Sequence, residues 1–342
     1  MSHRFLASIC ALTTVIIVVL LAQPAIAGQQ QAAKRTAWGD PDLQGVYSFS
    51  THTPLQRPLT LADKGSYTPE ELEELEHQLA EKLQEDIATN EHFSYSKLWF
   101  GNDYALGKPT GRTSLIIDPE NGRQPAYTAE TQKVREEAAA QLAARRIKGG
   151  GDVTHTLINT WEDHPMYTRC VARPMPRIYQ EYNHGVQILQ SPGYVVIHYE
   201  SMNDVRIIPV DGRPHIDPSI RQWNGNSRGR WEGDTLVVDW TNFTDKQAFE
   251  GSYSWGPPQG NFHITERFKR VDEKTIDYTV TIDDPKTWTR PWTFVLPWRV
   301  EEAAYKGPED LLEFACHEGN FRMMENTLTG TKALKEEHGL KD

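Results

Sequence analysis

From Val186 to Cys316 the chain repeats one pattern, short apolar or alternating runs separated by turn residues. The runs are Val186 to Leu189, Tyr194 to Tyr199, Val205 to Val210, Leu236 to Thr241, Phe262 to Val271, Thr275 to Asp283, Trp292 to Val300 and Leu312 to Cys316. A period of two places successive side chains on opposite faces of a sheet. Ser-Pro-Gly, Asp-Gly-Arg, Glu-Gly-Asp and Asp-Glu-Lys lie between the runs and read as hairpin punctuation. Strands joined by short turns make an antiparallel meander. A sheet of that length closes on itself or folds into two layers, because bare edges recruit other strands. The expected fold is therefore mainly β, an antiparallel meander closed into a lipocalin-like barrel with a ligand cavity, and a two-layer sandwich is the alternative.

Upstream the pattern changes. Gly45 to Ser50 has the length of one strand. Thr68 followed by Pro69 starts a helix whose apolar stripe is Leu72, Leu75, Leu79 and Leu83. A second helix runs from a capping Thr128 to Arg146, ahead of Gly149, Gly150 and Gly151. Both helices are laced with charge, which makes them peripheral packing elements. The expected division is a leader over 1–27, a two-helix N-terminal extension over 28–150 and a barrel domain over 151–342.

The leader has a basic start at His3 and Arg4, an uncharged run from Phe5 to Ala22, Pro24, and the small triplet Ala25-Ile26-Ala27. This is the pattern of a cleaved secretory signal, which places the mature chain in the periplasm or outside the cell. An apolar run of this length could also serve as a permanent anchor. Pro24 and the cleavage site favour removal, leaving no stable membrane anchor. Loss of Arg4 takes the net charge from −11 to −12. Nucleic acid is thereby excluded as a partner, since phosphates would be repelled. Cys10 leaves with the leader, so Cys170 and Cys316 remain to form one disulfide in an oxidising compartment. Two free thiols, or a thiol ligand beside His317, are the other reading.

Candidate chemistry follows from which residues share a face. Glu266 alternates with Phe262, Ile264 and Phe268, so its carboxylate points the same way as apolar neighbours and must be paired or protonated. It is either a general acid or base, or half of a buried ion pair with an arginine of a neighbouring strand. In the hairpin from Tyr194 to Val210, His198 and Glu200 share a face, as do Asp204 and Arg206, and Glu200 could meet Arg206 across the strands. The stretch Ile220 to Asp234 gathers Arg221, Arg228 and Arg230 with Trp223 and Trp231. Guanidiniums hold carboxylates and indoles stack on rings, although pairing of the arginines with Glu232 and Asp234 is the plainer reading. The chain has 10 Trp, all beyond the leader, in keeping with an aromatic-lined cavity. His184, His198, His215, His263, His317 and Glu318 could in principle bind metal, but no tight ligand spacing exists, and no metal or other cofactor is expected. A disulfide at Cys316 would hold His317 and Glu318 rigidly, on opposite faces of a strand. No G-x-S-x-G elbow, P-loop or G-x-G-x-x-G is present.

PDLQGVYS, RTSLIIDPENGRQP, YVVIHYESMNDVRIIPVDGRPH, IRQWNGNSRGRWEGDTLVV, TNFTDK, DDPKTWTRPW and ACHEGN together resemble a large family of exported, largely uncharacterised bacterial proteins. The likeness spans nearly the whole mature chain. It implies export and a lipocalin-like C-terminal half, but no activity and no catalytic residues. The family often carries Trp where Tyr47 stands and an Asn-rich run at Asn183-His184-Gly185, which makes His184 a poor obligatory metal ligand. The functional expectation is an exported enzyme performing acid/base chemistry, by hydrolysis, elimination or isomerisation, on a small cyclic sugar-like or aromatic substrate. Glu266, His317 and Glu200 would be catalytic, and Arg206, Arg221, Arg228, Trp223, Trp231, His198, His184 and Glu318 would hold the substrate. The alternative is a non-catalytic carrier of a hydrophobic or anionic small molecule.

Overall fold

The computed structural model describes residues 34–89, 107–148, 154–164, 166–173, 175–178, 183–244, 262–300 and 311–340. The expected leader, with Cys10 and its cleavage site, lies outside the described residues. No described helix is long and apolar enough to cross a membrane.

The meander closes into a barrel and not a sandwich. Strands β5 (Gly185–Ser191), β6 (Tyr194–Tyr199) and β7 (Asp204–Pro209) form one antiparallel run. Strands β8 (Asn226–Glu232), β9 (Thr235–Thr241), β10 (His263–Arg270), β11 (Thr275–Asp283) and β12 (Trp292–Arg299) form another. Strand β1 (Gly45–Ser48) joins the two, pairing with β5 along its length and with β12 at Ser48 and Arg299. A short β2 (Ile116–Asp118) also pairs with β12, at Thr293 and Phe294, off the main strand order. Both β1 and β2 precede the boundary expected near residue 150, so the barrel draws strands from the N-terminal third.

The strand order is β7-β6-β5-β1-β12-β11-β10-β9-β8, every step antiparallel. An odd number of alternating strands leaves its two ends, β7 and β8, running the same way. No backbone ladder joins them among the described residues. Parallel neighbours need a long returning connection, which residues 210–225 supply. The seam is closed by side chains. Arg206 Nη2 on β7 donates to Ser227 Oγ on β8 at 2.9 Å. Gly229 is the other fastening, because a Cβ there would meet Val210 Cγ1 at 2.8 Å and Ile208 Cγ2 at 3.0 Å. The near approach of the two strands thus requires glycine.

Alternation builds the interior. Along β11, Ile276, Tyr278, Val280 and Ile282 are buried and the residues between them are not. Trp240, Trp292, Trp298, Tyr199, Tyr278, Phe268 and Phe294 fill the space with the apolar faces of the other strands. Ring centroids lie 4.7 Å apart for Tyr278 and Trp298 and 4.8 Å for Phe268 and Tyr278. The two ends of the barrel differ. Short turns at Gly193, Gly233 and residues 271–274 close one end; at the other, where the connections are longer in sequence, lie Asn183 and His184 before β5, Ser201–Asn203 between β6 and β7, and Asn224 before β8.

Among the described residues three α-helices lie outside the barrel. Helix α1 (Pro69–Thr89) begins in a reciprocal cap, with Glu71 N–H donating to Thr68 Oγ1 and Thr68 N–H donating to Glu71 Oε2. Helix α2 (Ala129–Ala144) begins with Thr128 Oγ1 accepting from Thr131 N–H. It is followed by an unexpected hairpin of β3 (Arg146–Lys148) and β4 (Thr154–Thr156). Helix α3 (His317–Glu337) corrects the sequence reading: Leu312 to Cys316 form no strand but lead into this helix. A second correction concerns Ile220 to Asp234, which the alternation assigns to no strand but of which Asn226 to Glu232 are β8. Its small and charged residues hide the alternation, because Ser227 and Gly229 are the inward positions. The Cys170–Cys316 disulfide forms, across 146 residues of sequence.

Candidate functional site

The long-connection end of the barrel gathers polar groups in an otherwise apolar interior. Glu266, on β10 between Ile264 and Phe268, is fully enclosed, as alternation predicts. Arg206 on β7 reaches it with two hydrogen bonds, Nη1 to Oε1 at 3.0 Å and Nη2 to Oε2 at 2.6 Å. Tyr278 on β11 donates its hydroxyl to Oε1 at 2.5 Å. The guanidinium lies 3.5 Å from the Trp240 ring centroid, and its Nη1 also donates to Tyr199 at 3.4 Å. Burial opposes the charge on Arg206, but the carboxylate of Glu266 outweighs it and holds the guanidinium above its ordinary pKa. Burial and the same carboxylate push the Tyr278 hydroxyl well up, so it stays a donor. The buried ion pair is therefore the reading of Glu266 that the geometry supports. Its arginine does not come from an adjacent strand but from the far side of the seam.

Above this pair, nearer the mouth, Arg177 precedes β5 and lies over the Tyr199 ring, 4.6 Å from its centroid. It donates to Ser201 O at 2.8 Å and pairs with Asp204 at the start of β7. Asn224, before β8, donates to the other oxygen of Asp204 at 3.2 Å, a second tie across the seam. Burial lowers Arg177 to about 10 against the pull of Asp204, and burial raises Asp204 against the pull of Arg177. Both shifts mark a dry environment. Glu200 turns inward where β6 ends, accepting from Asn183 Nδ2 at 2.9 Å and Gly185 N–H at 3.1 Å. It does not meet Arg206 and does not share the face of His198; the strand stops at Tyr199, so alternation no longer applies. His198 stands half-buried on the outer face, opposite Val205. His184 is enclosed, its Nδ1 2.7 Å from Ser48 Oγ, and burial drives its pKa down to about 4.

Six enclosed side-chain atoms at this end have no hydrogen-bond partner among the described residues. They are Arg177 Nε, Asn183 Oδ1, His184 Nε2, Ser201 Oγ, Arg206 Nε and Asn224 Oδ1. A buried polar group without a partner costs about 1–3 kcal/mol, so such atoms are rare in folded proteins and each calls for a cause. The unpartnered atoms elsewhere in the barrel include the indole N–H groups of Trp231, Trp288 and Trp298.

The other expected site residues lie apart. His317 and Glu318 are exposed at the start of α3, and neither is on a strand. No hydrogen bond joins His317 to Glu266. Arg221 is exposed and bonds Phe243 O at 3.5 Å, while Arg228 faces outward and donates to Pro214 O at 2.7 Å. Arg230 pairs with Glu232, as the plainer sequence reading had it, but Asp234 pairs with Arg35. Trp223 and Trp231 are half-buried. A separate outer cluster joins His215 and His263 to the two oxygens of Asp239, the first at 2.7 Å. Burial would raise Asp239, but the bonds from His263 and His215 outweigh it and hold the carboxyl below its ordinary value. Among the described residues no group of three or more His, Cys, Asp or Glu side chains is arranged to hold a metal ion.

Sequence reasoning missed Arg177, Asn183, Ser201, Asn224 and Tyr278 as members of the polar cluster. For Tyr278 the signal was present, since it alternates inward on a strand facing Glu266; the others sit on connections, where no periodicity applies. Comparisons of the chain with protein-family models, with curated proteins and with solved structures find no match.

Proposed function

We propose that this protein is an exported binding protein that holds a small polar molecule at the long-connection end of its barrel. The observation that carries the reading is the set of six enclosed, unpartnered polar atoms on Arg177, Asn183, His184, Ser201, Arg206 and Asn224. All six lie on segments that meet at one end of the barrel, and a ligand that bonded them would recover part of the penalty of burying them. The carrier reading displaces the acid/base enzyme because both oxygens of Glu266 are committed to Arg206 and Tyr278. His317, the other half of that chemistry, is exposed on α3.

Export is supported by the leader pattern, by the motifs that resemble exported bacterial proteins, and by the Cys170–Cys316 disulfide, which suits an oxidising compartment. The test is native mass spectrometry of the mature protein purified from its own host. A co-purifying small molecule that is lost from Asn224→Ala is the expected result. A bare protein mass from fresh, undialysed preparations, with no rise in melting temperature from the host's small-molecule extract, would remove the proposal.

A further inference from the structure

We infer that the molecule held at this end is neutral and polyhydroxylated, a sugar or sugar alcohol, and not an ion. The inference rests on the binding reading above and goes further, to ligand class. Among the described residues the charged groups of this end are three enclosed guanidiniums, Arg173, Arg177 and Arg206, two enclosed carboxylates, Glu200 and Glu266, and the part-buried Asp204 beside Arg173 and Arg177; the enclosed His184 is held neutral by burial. Two of the guanidiniums already face carboxylates, Arg177 with Asp204 and Arg206 with Glu266. Glu200 is held by the N–H groups of Asn183 and Gly185. An anion placed here would lose its hydration and meet as much negative as positive charge, so nothing in the wall repays the desolvation. A cation meets the same balance.

The unused capacity is of another kind. Arg177 Nε and Arg206 Nε are donors, Asn183 Oδ1 and Asn224 Oδ1 are acceptors, and the Ser201 hydroxyl is both. A hydroxyl group donates one hydrogen bond and accepts others, so a molecule bearing several hydroxyls serves donors and acceptors together without carrying charge.

The test is calorimetric titration and thermal shift of the full mature protein with glucose, galactose and maltose, and with glucuronate and galacturonate, which add a carboxylate to the same rings. The expected result is saturable binding of at least one neutral sugar and at least tenfold weaker binding of its uronate. Ser201→Ala supplies the control. The Ser201 hydroxyl has no partner to lose among the described residues, so the variant's unliganded melting temperature stays level or rises while neutral-sugar binding weakens roughly three- to tenfold, the size of one hydrogen bond. Uronate binding equal to or tighter than that of the neutral ring overturns the ligand class and leaves the binding reading standing. If none of the five probes binds, accurate mass of the co-purified adduct decides: a neutral polyol supports the inference and a charged or hydroxyl-free adduct overturns it. Absence of both probe binding and adduct removes the binding reading as well.

Discussion

Arg206 shows how one side chain can do what backbone cannot. It starts on one edge of the seam, touches Ser227 on the other, and ends on Glu266 two strands further round. Removing one partner leaves an enclosed charge alone, which typically costs about 3–5 kcal/mol. Glu266→Leu should therefore lower the unfolding free energy by that amount in urea titration, with Arg206→Met similar. The double variant should recover most of the loss, since two apolar residues leave no stranded charge; a strictly additive double variant would deny the coupling. His184 makes a pH-dependent contribution. Its folded pKa, about 4, lies below the ordinary value of 6.5, so below pH 6.5 the unfolded chain binds a proton that the folded one refuses. Stability is intact above pH 6.5 and falls as pH drops toward 4, by on the order of 3 kcal/mol. Relative to wild type, His184→Gln should flatten the urea midpoint between pH 6.5 and 4, and an unchanged slope would show that His184 is not responsible.

At the scale of elements, the parallel pair of β7 and β8 is a weak line of the barrel, because no backbone ladder joins the two among the described residues, whereas even the shortest other step, β1 to β12, has a backbone pair at Ser48 and Arg299. Its closeness depends on Gly229, and a side chain there would push Ile208 and Val210 aside. Overpacking of this kind costs about 1–3 kcal/mol, so Gly229→Val should lower the melting temperature by several degrees. It should also raise hydrogen exchange in β7 and β8 before the other strands. Uniform exchange around the barrel would mean that the seam is no weaker than the rest. The connection over residues 210–225 is pinned from outside by His215 and Asp239. Because the bonds from the two histidines lower Asp239, that clasp is present above its ordinary pKa of 3.8 and is lost as pH falls through the lower folded value.

For the whole molecule, the disulfide is the main tie between α3 and the segment that carries Arg173 and Arg177 toward the mouth. Among the described residues the other polar contacts of the helix include Ile158 N–H to Thr331 Oγ1 at 2.9 Å and His164 with Thr327 at 3.0 Å. Closing so long a loop is worth roughly 4 to 5 kcal/mol on chain-entropy grounds, less where the reduced chain keeps structure. Cys170→Ser should accordingly lower the melting temperature and expose residues 311–340 to limited proteolysis while the barrel strands resist. Simultaneous digestion of both would refute a peripheral α3. The sequence by itself determined most of the strands, their turns, the two N-terminal helices with their caps and the inward face of Glu266, because these follow from periods of two and 3.6 and from local capping chemistry. Only the tertiary structure decided that β1 enters the barrel, that β8 is a strand, that β7 and β8 meet in parallel, and that Arg206 belongs to Glu266 and not to Glu200. Those outcomes depend on how many strands close the ring and which distant residues that closure brings together, and no local period carries that information.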